Sequence, residues 1–152
     1  MALAVALLAL AGCVTPDPST DSESTAAESP WAPRCEPMSP TFWEGDTNPG
    51  GSESNAPGSY SYSGQALAKS STYDVRWTNP SPTSRISWDG QSATGNVRVS
   101  IFDACGKLLY DQSSGRGQGA GYQHLPLGHP GAWLIRLKFE TFTGQMSLSV
   151  TS

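Results

Sequence analysis

Apolar residues occupy every second position in several stretches of the chain after Tyr60. In "AWLIRLKF" the alternation puts Trp133, Ile135, Leu137 and Phe139 on one face, and "YDVRW", "NVRVSI" and "QMSLSV" repeat the pattern. Successive side chains of a β-strand point to opposite faces, so this period predicts half-buried strands. Polar residues fill most of the intervening positions, which predicts that one face of each strand meets water.

Turn-forming sequences separate these stretches. Shorter candidate strands are "SYSYSGQAL", "SRISW" and "KLLYD", and the segments between strands include "NPSP", "DG", "ACG", "SGRGQGAG" and "GHPG". Proline and glycine there supply the backbone torsions that turns require. This half contains no apolar stripe of helical period. The sequence therefore predicts an all-β domain over residues 60–152, a single antiparallel, jelly-roll-like β-sandwich of about seven or eight strands.

The second half of this domain resembles a known family. A strand ends in Asp within "GNVRVSIFDACGKLLYD", a glycine-rich loop follows, and "PGAWLIRLKFETFTGQMSLSV" contains Gly-x-Trp and Thr-Gly at the starts of two further strands. Over residues 71–152 this order is similar to the small jelly-roll sandwiches of the bacterial pre-peptidase C-terminal kind. The resemblance implies an exported accessory module.

The amino-terminal residues resemble an export signal. The apolar run from Ala2 to Gly12 is too short to span a bilayer but has the length of a signal-peptide core. Leu10-Ala11-Gly12-Cys13 resembles the lipobox of bacterial lipoproteins. That resemblance implies a signal peptide over residues 1–12 and a lipidated Cys13 that anchors the chain to a membrane. The alternative is a short helix folded into the domain.

The resemblance also implies a location. In lipoproteins of this kind an Asp after the lipidated cysteine favours the inner membrane, and this chain has Val14 there. We therefore expect anchoring on the exported side of the cell envelope, at the outer membrane where the organism has one.

The segment 13–59 has the composition of a flexible tether. It is rich in Ser, Thr, Pro and Gly, and it carries eight acidic residues against the single base Arg34. Such a composition cannot bury enough apolar surface to offset the entropy of ordering. Residues 60–152 carry eight bases and five acids. This weak positive charge does not predict a nucleic-acid partner.

The three cysteines agree with export. If Cys13 is lipidated, Cys35 and Cys105 remain as a candidate disulfide pair in an oxidising compartment. Two unpaired thiols are the alternative. A bond would pin "WAPRCEPMSPTFWEG" along the domain, so that Trp31, Phe42 and Trp43 cover part of its surface; the competing hypothesis is an aromatic platform for a partner.

Catalytic and metal-binding motifs are weak in this sequence. His124 and His129 are five apart before a proline, which does not fit a helical zinc pair, so loop histidines are expected. Ser113 and Ser114 lack a Gly-x-Ser-x-Gly elbow and predict a serine-rich surface. The "GRGQGAG" stretch does not open a helix, as a phosphate-binding loop does. We expect no enzyme activity, no cofactor and no metal.

Three aspartates lie near predicted turns. Asp103 and Asp111 flank a hairpin, and Asp89 precedes Gly90 in a predicted tight turn. Turn formation is the expected role of these side chains. A calcium ion held by clustered carboxylates at one end of the sandwich is the alternative.

Two functions of different class fit these observations. The first is a non-enzymatic, membrane-anchored lipoprotein whose sandwich has a structural or interaction role with an envelope partner. The second is a glycan-binding accessory module, because sugar rings stack on exposed aromatic side chains. Strand phase predicts that Trp77, Trp88 and Trp133 are buried. The candidate outward aromatics are Phe102, Tyr110, Tyr122 and Trp43.

Overall fold

The computed structural model describes residues 35–45, 48–114 and 120–152, and almost all of them form β-strands. The strands are β1 Ser52–Ala56, β2 Ser59–Asn79, β3 Arg85–Phe102, β4 Leu108–Ser114, β5 Ala120–His124 and β6 Gly131–Thr151. A single 3-10 turn covers Pro40–Phe42. Within these ranges there is no helix of the length and apolarity needed to span a bilayer. The predicted all-β class is confirmed.

All strand pairs are antiparallel, and β6 lies at the centre. The order is β1-β2-β6-β3-β4, and β5 pairs with β3 at the other end of that strand. The β6 backbone pairs with β2 from Gly131 to Thr151 on one edge and with β3 on the other edge. This two-sided pairing accounts for the long apolar alternation in β6, because a central strand contacts neighbours along its whole length.

The three longest strands each contain two of the strands expected from the sequence. "SYSYSGQAL" and "YDVRW" belong to β2, "SRISW" and "NVRVSI" to β3, and "AWLIRLKF" and "QMSLSV" to β6. Register shifts interrupt the pairing near residues 66–71 and 92–96. At the same level Gly95 has φ 73° and Thr141 has φ 46°. Such irregularities bend a strand without reversing it, so in the described residues each of these long strands continues through both of the shorter strands expected there.

The prediction of a tight turn at Asp89 and Gly90 was wrong. Both residues lie inside β3, where Asp89 is opposite Ser147 and Gly90 is opposite Met146. Gly90 is buried against Trp88, and a β-carbon there would lie 3.2 Å from the Trp88 ring. The glycine therefore makes room for a core side chain instead of a chain reversal.

The bends place the strands in two layers, as a β-sandwich requires. The first layer contains residues 59–66, 85–92 and 144–151 with β1 and β5. The second layer contains residues 71–79, 96–102 and 131–140 with β4. Contacts across the interior join them: the Tyr62 and Tyr73 rings are 6.2 Å apart, and Trp88 Nε1 donates to the Tyr110 hydroxyl over 2.5 Å.

The core between the layers is aromatic at its centre. Trp77 and Trp133 are fully buried and meet edge to face with ring centroids 5.6 Å apart. The indole N–H of Trp133 donates to the His129 carbonyl over 2.6 Å. Trp88 is 3% exposed. The predicted inward orientation of all three tryptophans is confirmed.

One aromatic assignment was wrong. Tyr110 is 6% exposed and belongs to the core. Its hydroxyl accepts from Trp88 and donates to Gln112 Oε1 over 3.0 Å, so the ring is buried while its polar end is satisfied. Burial raises the pKa of this phenol.

The folded part of the chain begins before the predicted boundary at Tyr60. β1 lies inside the segment 13–59 that was predicted to be a tether, and it pairs with residues 59–63 of β2. Every β1 residue is exposed, so the sequence "SESNA" shows no alternation that could reveal a strand. Backbone pairing holds it, together with a hydrogen bond from the Tyr73 hydroxyl to Glu53. The predicted signal peptide 1–12 and Cys13 lie outside the described residues.

Candidate functional site

Residues 35–45, which we call the strap, cover the part of the outward face of the second layer that lies around Asp74, Phe102 and Arg136. The centre of this contact is Arg136 on β6, which donates to both carboxylate oxygens of Asp74 on β2 over 2.8 and 2.9 Å. It also donates to the Phe42 carbonyl over 2.6 Å and to Glu44 Oε1 over 2.8 Å. The Asp74 side chain is 0% exposed. Arg136 therefore joins a buried carboxylate of the sheet to two strap residues.

Backbone hydrogen bonds strengthen the same contact. The Glu44 N–H donates to Asp74 Oδ2 over 2.6 Å, and the Asp74 N–H donates to the Gly45 carbonyl over 2.6 Å. The hydrogen bond to Asp74 is the main cause that raises the pKa of Arg136. The Asp74 carboxylate thus accepts at least three hydrogen bonds in its buried position, as a buried charge requires.

Apolar packing completes the strap contact. Phe42 lies edge to face against Phe102 with ring centroids 4.9 Å apart, and Arg136 Cζ lies 5.5 Å from the Phe42 ring centre. Leu134, on the same outward face, is fully buried. Phe102 was predicted as an outward aromatic, and it does face outward but lies beneath the strap. The strap therefore gives this face the character of a second, smaller core.

A disulfide fixes the start of the strap. Cys35 and Cys105 are bonded, with Cα atoms 5.2 Å apart, so the predicted pair is confirmed. Asp103 orders the turn that carries Cys105, because its Oδ1 accepts from the N–H groups of Cys105 and Lys107 over 3.0 and 2.8 Å. Its Oδ2 accepts from the His129 N–H over 2.9 Å. Asp103 thus has the turn-forming role expected of it.

A cavity lies beside this disulfide, where the strap meets the ends of β2 and β6. Its volume is about 430 Å³, and its lining includes Cys35, Met38, Trp43 and Arg76. The Arg76 guanidinium carbon lies 5.0 Å from the Trp43 ring centre, a cation–π distance. Trp43, itself a strap residue, is half-buried, so this predicted outward aromatic is only partly exposed.

The outward face of the first layer, which we call the open face, has a different composition. Its exposed positions on the three central strands hold hydroxyl and amide side chains together with Asp89 and Arg85. The register puts Gln65 opposite Gln145 and Gln145 opposite Gln91, so three amides form a row across three strands. The next row contains Ser63, Ser147 and Asp89.

These two rows line a shallow groove of about 380 Å³. Side-chain amides both donate and accept hydrogen bonds, and hydroxyls do the same, so the groove offers both kinds of partner along its length. Tyr122 lies on the neighbouring strand β5 and is 86% exposed. Of the four predicted outward aromatics, Tyr122 is the one whose ring is fully open.

The remaining predicted residues do not assemble into a site. Asp111 pairs with Arg98 and accepts from Ser100 over 2.9 Å in the second layer. Asp89 lies on the open face of the first layer, so the three aspartates do not come together as a calcium site requires. The hydrogen bond from Arg98 lowers the pKa of Asp111. Ser113 is exposed and Ser114 is buried on β4. Residues 115–119 of the glycine-rich loop lie outside the described ranges.

His124 and His129 occupy different surroundings. His124 is exposed at the end of β5, opposite Arg85. His129 is half-buried, and its ring nitrogen lies within 4.8 Å of both Cys35 Sγ and Cys105 Sγ. In the described part of the chain these three side chains are the one group with the composition of a metal site.

Comparisons with known proteins do not identify the chain. No family model and no curated protein matches it. Among 16 similar chains of known structure is one from the structure of infectious bursal disease virus Gx strain, 12% identical with a TM-score of 0.28. The likeness covers 77% of this chain and 38% of the viral chain. At that TM-score it carries no argument about fold or function.

Proposed function

We propose that this chain is a lipid-anchored, non-enzymatic protein of the bacterial cell envelope whose sandwich serves as an interaction domain. The observation that carries the proposal is the Cys35–Cys105 disulfide. Disulfides persist in exported proteins and are rare in the cytosol. The bond uses two of the three cysteines and leaves Cys13, the residue within the lipobox-like sequence, as the thiol for lipidation.

Lipidation is tested by growing cells that express the full chain with labelled palmitate. The parent and a Cys105→Ser control should take up label and partition into the membrane fraction, whereas Cys13→Ala should do neither. Label on the Cys13→Ala protein would contradict the proposal. The control is matched because it also removes one cysteine, but from the disulfide instead of the lipobox-like sequence.

A second candidate function is favoured by the open face, namely binding of a neutral polysaccharide. The amide row of Gln65, Gln145 and Gln91 carries no charge, and sugar hydroxyls need such mixed donors and acceptors. Tyr122 provides an exposed ring on β5, which pairs with residues 85–88 of the same β3 strand that holds Gln91, and the apolar side of a sugar ring packs on aromatic faces. This function is compatible with the membrane anchor, because an anchored module would hold the envelope near a glycan.

Affinity electrophoresis in gels that contain β-glucan or galactomannan tests this second function. We expect retardation of the parent, and at least a tenfold weaker effect for Gln145→Ala and for Tyr122→Ala. Gln112→Ala is the matched control, because Gln112 is an exposed glutamine on β4 in the second layer; since Gln112 also accepts from the Tyr110 hydroxyl, circular dichroism checks that this variant is folded. Equal retardation of the parent, Gln145→Ala and Tyr122→Ala would exclude the open face as the binding surface.

A further inference from the structure

Three side chains from distant parts of the sequence meet at the end of the strap. Cys35 begins the strap, Cys105 lies in the turn between β3 and β4, and His129 lies in the loop before β6. One ligand atom of each lies within 4.8 Å of the other two. We call this group the clasp. Two sulfurs and an imidazole nitrogen are the ligand set that Zn²⁺ takes in proteins.

The surrounding structure holds two clasp residues by their backbones. Asp103, which is fully buried, accepts from the N–H groups of Cys105 and His129 with different oxygens. The His129 carbonyl accepts from the Trp133 indole. These bonds do not use the sulfur of Cys105 or the ring of His129. The His129 ring nitrogen is therefore not used by these bonds, and the Cys105 sulfur becomes available once its bond to Cys35 is reduced, while the core fixes the positions of both residues.

We propose that, once the Cys35–Cys105 disulfide is reduced, the clasp binds one Zn²⁺ ion through Cys35, Cys105 and His129. Zn–S bonds of about 2.3 Å and a Zn–N bond of about 2.0 Å put tetrahedral ligand atoms about 3.5 to 3.8 Å apart. A Cα separation of 5.2 Å lets the two sulfurs reach that spacing by side-chain rotation. The cavity that Cys35 lines gives the ion a path to the site.

The two steps balance without a further reactant. A dithiol reductant transfers two electrons and two protons, the protein S–S bond breaks to two thiols, and the dithiol closes to its own disulfide. Zn²⁺ then forms two Zn–S bonds and one Zn–N bond to the neutral imidazole, and the two thiol protons pass to solvent. Water occupies the fourth position. The oxidation state of zinc does not change.

Zinc binding by the clasp requires neither the lipid anchor nor glycan binding. The start of the strap is then joined to the domain in one of two ways, by the disulfide when the compartment is oxidising and by a zinc ion when the thiols are reduced. The chain is synthesised with thiols, so the reduced state precedes the disulfide in every molecule.

The test uses the full chain with Cys13→Ser, which leaves two cysteines. A water-soluble phosphine reduces the disulfide, gaining an oxygen from water, and does not compete strongly for zinc. Titration with Zn²⁺ against a chromophoric chelator should show one tight site in the reduced protein and none in the oxidised protein. Co²⁺ in place of Zn²⁺ should give the sulfur-to-cobalt charge-transfer absorption of two thiolates.

His129→Ala should weaken zinc binding at least tenfold, and His124→Ala, which removes the other histidine, should leave it unchanged. The His129 variant keeps the backbone groups that bind Asp103 and Trp133, and circular dichroism of the reduced proteins checks that the strands persist. Equal zinc affinity for the parent and His129→Ala would overturn the proposal, as would a reduced parent that binds no zinc or unfolds before binding it.

Discussion

The two outward faces of the sandwich provide partners for their polar side chains in different ways. The second layer exposes charges and aromatics that the strap then covers, so Asp74, Arg136 and Phe102 find their partners within the chain. The first layer exposes serines, glutamines and Asp89, which no strap residue covers. Exposed polar side chains keep their hydrogen bonds to water. The buried Asp74–Arg136 ion pair loses its hydration, so it needs further hydrogen bonds from the strap to satisfy both charges. The covered face therefore contributes stability through contacts within the chain, whereas the open face keeps its polar groups exposed, as the proposed binding surface requires.

Both faces depend on the core between them, so the largest effect is expected there. Trp133→Ala removes a fully buried ring from contact with Trp77 and leaves a cavity. A buried tryptophan truncated to alanine costs about 3 to 5 kcal/mol. Urea denaturation followed by circular dichroism should show a large fall in midpoint or an unfolded protein. A variant whose urea midpoint equals that of the parent would show that Trp133 is not a core residue.

The covered face is tested by Arg136→Met, which keeps the length of the side chain but removes its charge. The change leaves the Asp74 carboxylate buried without its cation, which costs about 3 kcal/mol. Glu44→Gln is the control, because the Glu44 side chain is 58% exposed and its ion pair is worth at most about 1 kcal/mol. A double variant with Asp74→Asn should recover part of the loss. Equal denaturation midpoints for Arg136→Met and Glu44→Gln would contradict the account of the strap.

For the open face we expect almost no change in stability, in contrast to the loss expected for Arg136→Met. Gln145→Ala removes an exposed amide at the centre of the row, and surface substitutions of this kind change the free energy of unfolding by about 0.5 kcal/mol or less. The denaturation midpoint should therefore match the parent. A loss comparable to that of Arg136→Met would mean that the amide row stabilises the sheet, and the contrast between the faces would fail.

A small effect that depends on pH is expected from the pair Arg98–Asp111, at the edge of the covered face, whose side chains are 51% and 25% exposed. The folded-state pKa of Asp111 lies below its ordinary value of 3.8, chiefly because Arg98 donates to it. The pair therefore stabilises the protein above pH about 4 and loses this contribution as the pH falls through the folded-state pKa. Thermal unfolding of the parent and Asp111→Asn should differ slightly at pH 6 and converge near pH 2. A difference that grows towards low pH would contradict this sign.

The sequence predicted the part of the fold that depends on alternation. The phase of Trp133, Ile135 and Leu137 was sufficient to orient β6, because a strand with one buried face has a period of two. The sequence did not predict that two expected strands join in each of β2, β3 and β6. Gly90 and Gly144 are of a residue type that is common in turns, but both lie inside strands. β1 was missed because all its residues are exposed.

The candidate sites were predicted only in part. The disulfide followed from counting cysteines. The ion pair of Arg136 with Asp74 joins residues 62 positions apart, and each appeared in the sequence as a polar residue on a solvent-facing side. The amide row likewise exists only through the register of three strands. Pairing across a sheet depends on topology, and alternation within one strand carries no information about it.

The claim that the open face binds and the covered face stabilises is tested most directly by nuclear magnetic resonance. The protein, labelled with ¹⁵N, is titrated with a neutral β-glucan oligosaccharide, and the backbone and side-chain amide shifts are followed. The account predicts that the largest changes occur at Gln65, Gln91 and Gln145 and near Tyr122, while the strap signals from Phe42 and Glu44 stay in place. Changes concentrated on the strap, or none on the open face, would contradict it.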